Sequence, residues 1–198
     1  MLQTFQNVLF LLLLDSQLRE QFCVAPERVL APFRLSADED AALRALTPKT
    51  LERCARGLMH QRWSQVQQVM PLSRRLFPSL SHRYLQCLAT HPASVEQTVL
   101  APGAAEALRA LPALHKSLAQ DKAEAVYAAD FLAFEVLQCC TRQDGQLRWL
   151  QSQFALHLLA QEMVHGIIPL DPERMPSRYR FDRRGTQWQT QTATPTVG

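Results

Sequence analysis

Leu2, Phe5, Leu9, Leu12 and Leu13 recur at the three- and four-residue intervals that gather side chains on one face of a helix. Asp15 stands just ahead of the next apolar positions, Leu18 and Phe22, where a carboxylate can accept from the unpaired N–H groups that open a helix, so a second short helix is expected there. Pro26 suits a first helical position and begins a third segment carrying Val29, Leu30 and Phe33. Ser36 followed three residues later by Glu39 is a capping box that predicts a helix over 37–46. Pieces this short are not stable alone, so residues 1–46 are expected to form a small N-terminal helical unit whose parts pack on each other or on the helices C-terminal to them.

Thr47 and Pro48 supply a cap and a first-turn proline to the longest expected helix, running to about residue 70, where Pro71 ends it. Residues 79–91 read as a helix with Leu80, Tyr84, Cys87 and Leu88 on one side. Prolines at 92, 102 and 112 predict short helices and loops up to about residue 118. Residues 120–140 read as a helix that is apolar on several sides and therefore central, which completes a helical bundle over 47–143. After the turn signal Asp144-Gly145, the alternation of Leu147, Trp149 and Gln151 suggests a strand. Residues 154–165 suggest a helix closed by Gly166, and 178–184 a second strand, with Arg178 and Arg180 on one face and Tyr179 and Phe181 on the other. Residues 144–186 are thus a C-terminal α+β segment, and the Thr- and Gln-rich stretch 187–198 a flexible tail. The expected fold class is mainly α, a multi-helix bundle with a short C-terminal β element.

Composition agrees with that pattern. Six glycines against 12 prolines suit helices joined by proline-punctuated turns, and argue against a β-sandwich or a glycine-rich nucleotide site. A net charge of +3 is too mild to indicate nucleic-acid binding by itself. Five cysteines form an odd set without metal-like spacing, which points to buried free thiols in a reducing compartment. The apolar run 8–14 has no basic residues ahead of it and is far shorter than the ~20 residues that span a bilayer. A cytoplasmic protein is expected.

Two central helices each carry a charge among apolar positions. Arg62 falls within the face of Leu51, Ala55, Leu58, Met59, Val66 and Val69, and Asp130 within the face of Val126, Tyr127, Phe134 and Leu137. Because an unpaired buried charge is costly, Arg62 is expected to meet Asp130, with Glu135 as the alternative acid. The pair would fix the packing of two helices or, in the other reading, position a ligand.

The search for chemistry yields no phosphate-binding loop, dinucleotide fingerprint, nucleophile elbow or zinc-protease motif. His157 and His165 lie two turns apart on one helix and do not converge on one metal. Glu162 and His165 have ligand spacing, but a lone pair of this kind is usually surface. The vicinal Cys139-Cys140 reads as packing, with a redox site as the alternative. No metal, cofactor or catalytic residue is therefore assigned.

Two basic groups remain: Arg53, Arg56, Arg74, Arg75, His82 and Arg83, and the C-terminal set Arg174, Arg178, Arg180, Arg183 and Arg184 interleaved with Tyr179 and Phe181. Each is a solvated surface or a surface for an acidic peptide, a partner's acidic face or a nucleic-acid backbone. An exposed strand edge beside the C-terminal arginines would also accept a peptide as an added strand.

The stretch "LMHQRWSQVQQVMPLSRRLF" from Leu58, followed by "YLQCLATHP" and "YAADFLAFEVL", resembles the helical accessory proteins encoded beside multinuclear non-heme iron oxidative enzymes that modify ribosomal precursor peptides, a group also labelled DNA-binding-domain-like. The likeness covers about residues 50–140. Separately, "DSQLREQFCVAPERVLAPFRLSADEDAAL" resembles the small all-helical subunit of extradiol dioxygenases. These likenesses imply a non-catalytic heterodimer partner: the iron and its ligands belong to the other subunit, and this chain helps recruit or present the precursor peptide. A nucleic-acid-binding regulator that uses the arginine clusters is the alternative.

Overall fold

The computed structural model describes residues 2–90, 99–122 and 124–190. It divides into two compact units, one of Met1–Arg62 with Leu85–Val95, the other of Trp63–Tyr84 with Glu96–Gly198. The division falls inside the long helix, so the C-terminal sheet belongs to one unit with the helices that the sequence places in a separate central bundle. The fold is mainly α with a small C-terminal antiparallel sheet, as the patterning predicts.

In the first unit, α1 (Leu2–Leu14), α2 (Ser16–Val24), α3 (Pro26–Leu30) and α4 (Ala37–Arg44) precede α5 (Pro48–Val66), which enters the second unit at its end. The foreseen caps are present. Leu18 N–H donates to the Asp15 carboxylate at 3.0 Å. Ser36 and Glu39 exchange bonds of 2.8 and 3.3 Å, each backbone N–H donating to the other's side chain. Arg19 donates to the carbonyls of Leu12 and Leu13 at the end of α1, placing a cation where the helix dipole is negative. Val8, Leu12, Phe22, Val29, Leu30, Leu43 and Leu51 form the unit's core. Fully burying a side chain of this size contributes about 1.5–3 kcal/mol, which offsets the entropy of ordering helices too short to stand alone.

The second unit contains α6 (Ser73–Leu76), the start of α7 (Leu80–Thr90), α8 (Pro102–Ala119), α9 (Ala128–Asp144), β1 (Arg148–Phe154), α10 (Leu156–Val164), β2 (Arg174–Asp182) and β3 (Gly185–Thr190). Several expectations change here. Residues 102–119 are one helix and not short pieces, although Pro112 lies inside it. Pro112 is exposed, while Ala104, Ala107, Leu114 and Leu118 keep a continuous buried stripe. The central helix begins at Ala128 and not near 120, and α5 stops at Val66 and not near 70. The helical end of "YLQCLATHP" reaches residues outside those described. Gln187 to Thr190, expected to be frayed, complete a strand, and 191–198 lie outside the described residues.

Ten residues of α9 are buried, in keeping with its predicted central position. The helix ends at Gly145, whose φ of 68° is left-handed and reverses the chain into β1. Its last residue, Asp144, is a carboxylate at the negative end of a helix, and Arg148 compensates with two bonds of 2.7 and 2.6 Å. The sheet is antiparallel in the order β1-β2-β3, with β2 in the middle.

Arg62 is buried on the predicted face, with Nη1 4.0 Å from Met59 Sδ. The expected meeting with Asp130, or with Glu135, gives way to other partners for both acids. Asp130 is not deeply buried and takes His115 at 3.2 Å and the Ser152 hydroxyl at 2.7 Å. Glu135 is the buried acid, and it accepts from the backbone N–H groups of Leu72 and Ser73 at 2.9 and 2.7 Å. A turn's unpaired amides need acceptors as much as an arginine does, and sequence spacing does not show which donor a folded carboxylate will meet. Val126, assigned to the same apolar face, is 68% exposed because it lies in the turn before α9.

Candidate recognition face on the C-terminal sheet

Strand β2 alternates as its sequence predicts. Ser177, Tyr179 and Phe181 are buried, and Arg178 and Arg180 are exposed. The buried face packs on α9, with Phe134 5.2 Å from Tyr179 and 5.6 Å from Phe181 between ring centres, both edge-on. Tyr179 and Phe181, which the sequence pattern groups with a peptide- or partner-binding surface, are instead core residues 0% and 1% exposed. The alternation that gave the two faces carries no sign of which one a helix will cover.

Beneath the sheet, the Tyr179 hydroxyl donates to the Phe154 carbonyl at 3.3 Å, and His157 Nδ1 lies 3.1 Å from the Tyr179 hydroxyl oxygen. The tautomer that satisfies both carries its proton on Nδ1. Burial pushes the Tyr179 phenol up and the His157 imidazole down, so both are held neutral. The other ring face of His157 stacks on Trp188 at 4.3 Å. Asp130 stands between Ser152 and His115. This order places the acid in the middle, whereas the serine–histidine–acid arrangement requires the imidazole there, and the Ser152 hydroxyl meets a carboxylate and not an imidazole. Ser152 instead accepts from Phe154 N–H at 3.1 Å and shapes the end of β1.

The outer face is different in kind. Cross-strand register sets Trp149, Arg180 and Gln187 in one row and Gln151, Arg178 and Gln189 in the next. The guanidinium carbon of Arg178 lies 4.5 Å from the centre of the Trp149 ring, and that of Arg180 lies 5.9 Å from it. Trp149 is 49% exposed, so these are surface cation–π contacts that hold two flexible cations over one rigid platform. Arg180 is partly engaged by Asp182, with Nε 3.5 Å from the carboxylate. Among the described residues, no carboxylate lies within 4.0 Å of the Arg178 guanidinium. Trp149, Arg178, Arg180, Gln187, Trp188 and Gln189 line a shallow concavity of about 270 Å3 that contains no acidic side chain.

The remaining predicted site residues are dispersed. Arg174 is exposed at the start of β2, opposite Phe154. Arg183 and Arg184 occupy the turn into β3, with the Arg183 side chain against Gly145 and the Arg184 N–H donating to Asp182 at 2.8 Å. The strand edge expected beside these arginines is not on β2, which is paired on both sides; the edges belong to β1 and β3. In the other basic group, Arg53, Arg56, Arg74 and Arg75 are exposed, and Arg56 pairs with Glu52 at 3.7 Å. Arg83 is fixed inside its unit by Ser79, Ser117 and Asp121.

Trp149 and Trp188 are the residues that sequence reasoning missed as site members. Trp149 is visible in the strand pattern, but its partners come from cross-strand register. Among the described residues, no group of three or more His, Cys, Asp or Glu side chains could hold a metal ion. The cysteines depart from the expectation of burial: only Cys140 is buried, and Cys23 and Cys54 are exposed. Cys140 lies against the Ala104 carbonyl, and burial pushes its thiol up to about 11. No helix among the described residues is long and apolar enough to cross a membrane.

No protein-family model, curated protein or solved structure matches this chain.

Proposed function

We propose that this chain is a non-catalytic partner subunit that docks on an iron-dependent peptide-modifying enzyme and helps recruit or present its precursor peptide. The observation that carries the reading is the edge of β3. Among the described residues β3 pairs only with β2, and Gln187, Trp188, Gln189 and Thr190 are all exposed. An extended peptide would satisfy that row of backbone groups as a fourth strand, with affinity from main-chain bonds and selectivity from alternate side chains.

The partner enzyme is inferred from the resemblance in the helical part of the chain. An apolar surface adds support: Val164, Ile167, Ile168 and Leu170 are 66%, 58%, 54% and 91% exposed in and after the end of α10. The Tyr127 hydroxyl ties that loop down through the Pro169 carbonyl at 2.9 Å, so these side chains are held out on an anchored backbone. A cytoplasmic setting fits five unpaired cysteines. The nucleic-acid reading draws less support, because Arg83 and Arg180 are engaged with carboxylates and the remaining arginines are spread over several elements.

Co-expression with a candidate non-heme iron, peptide-modifying enzyme tests the proposal. The two chains are expected to co-purify in equal amounts, and the enzyme's Kd for its precursor peptide to fall at least tenfold when this chain is present. Failure to co-purify, together with an unchanged peptide Kd, overturns the proposal.

A further inference from the structure

We infer that the outer face of the C-terminal sheet reads acidic side chains at alternate positions of an extended peptide, with Arg178 over Trp149 as the principal carboxylate receptor. This rests on the strand-addition reading above and names the class of peptide that the edge would select.

Three features converge. The first is charge. A guanidinium is a planar fork whose N–H groups match the two oxygens of a carboxylate, and Arg178 has no acid of its own within 4.0 Å among the described residues. The second is preorganisation. Most exposed arginines lose side-chain freedom when they bind, but the Trp149 ring 4.5 Å below already restricts this one. The third is spacing. Arg178 and Arg180 lie two residues apart on one strand and so on one face, and alternate residues of an added strand run in the same direction with the same period.

A peptide on the β3 edge would lie two strand spacings from β2, about 10 Å, which arginine and glutamate side chains span together. Between them stand only Gln187 and Gln189, whose amides donate hydrogen bonds and bring no opposing charge. Arg180 shares its charge with Asp182 and is the weaker receptor.

The same geometry favours a peptide over a nucleic acid. Nucleic-acid backbones are held by many phosphate contacts at once, commonly 6–10. Among the described residues, this face offers one cation without an acid partner and a second already paired. That arrangement suits one or two carboxylates, and the Trp188 ring is already stacked on His157, which leaves no pair of free rings for successive bases.

The test uses the full chain and three fluorescent probes: a ten-residue peptide alternating Thr and Glu, the same peptide with Gln for every Glu, and a ten-nucleotide oligo-dT. The wild type is expected to bind the Glu peptide at least tenfold more tightly than the Gln peptide, and more tightly than oligo-dT. Arg178→Gln is expected to bring the two peptides within twofold of each other, and Arg178→Lys, which keeps the charge but not the fork, to retain part of the preference. Thermal melts of the variants establish that the fold is kept, as an exposed position predicts. Equal binding of the two peptides, an undiminished preference in a folded Arg178→Gln variant, absence of binding by the Glu peptide, or tighter binding of oligo-dT each overturns the inference. The partner proposal fails separately, through the co-purification experiment, and a Glu preference lost in Arg178→Gln would stand without it.

Discussion

The Arg178 guanidinium lies 4.5 Å from the centre of the Trp149 ring on a neighbouring strand, on the sheet face that α9 leaves uncovered. Both residues are exposed. At such sites a cation–π contact is worth about 0.5–1 kcal/mol. Trp149→Leu is therefore expected to lower stability by no more than about 1 kcal/mol in urea unfolding. A larger loss would mean that the ring is a structural element and not a platform.

Glu135 holds the start of α6 by accepting from two backbone N–H groups. Glutamine keeps one acceptor and turns a donor toward the other amide, so Glu135→Gln is expected to cost about 1–3 kcal/mol. Burial raises the Glu135 carboxyl above its ordinary value of 4.5, outweighing those hydrogen bonds. A raised acid favours the fold most below its ordinary value and loses that contribution as pH climbs through the folded value. The gap between wild type and Glu135→Gln should therefore narrow as urea titrations move upward from pH 4.5.

Asp144 behaves in the opposite sense. Its bonds to Arg148 hold it below its ordinary 3.8, so its contribution is present above that value and lost as pH falls through the folded one. Both side chains are largely buried, at 6% and 11% exposure. Asp144→Asn is expected to cost about 2 kcal/mol near neutral pH, in the range for hydrogen bonds to charged groups. The acid-side decline should also be shallower in the variant, as urea unfolding across acidic pH would show.

Gly103 brings α8 against the end of α5. A Cβ there would fall 2.5 Å from the Gln65 carbonyl oxygen and 2.7 Å from its carbon, both backbone atoms that cannot swing away. Alanine improves helix propensity by about 1 kcal/mol, but overpacking costs about 1–3 kcal/mol. Gly103→Ala should therefore lower the melting temperature despite the better helix former.

The cysteines divide by exposure. At neutral pH, Cys23 and Cys54 should react quickly with a thiol reagent, and Cys140, pushed up to about 11 and buried, should react only on unfolding. Mass spectrometry of partly labelled protein would distinguish them, and early labelling of Cys140 would contradict the packing around α9.

The caps at Asp15 and Ser36, the buried face of α5 around Arg62, and the alternation of β2 were all legible in the sequence, because each depends on neighbours a few residues away. The partners of Asp130 and Glu135 were not. They depend on partners 15 to 63 residues distant, supplied by a helix, a strand and a turn whose placement the spacing of charges does not encode. Pro112 is a related case: it removes one hydrogen bond from α8, and the buried stripe of that helix, which depends on tertiary packing, holds the helix together around it. On the outer face of the sheet, the arginines were legible and the ring beneath them was not. Trp149 meets Arg180 through register, and the sequence could not tell which face of β2 would be covered.

Hydrogen exchange on the full chain, with and without the peptide alternating Thr and Glu, reads out whether a peptide adds to the open edge of β3. Docking at the open edge predicts that the edge-facing amides, alternate ones along Gly185–Thr190, slow at least tenfold while those of α1 to α4 keep their rates. Peptide binding that leaves these strand amides unchanged, or that slows only the N-terminal helices, would contradict the claim.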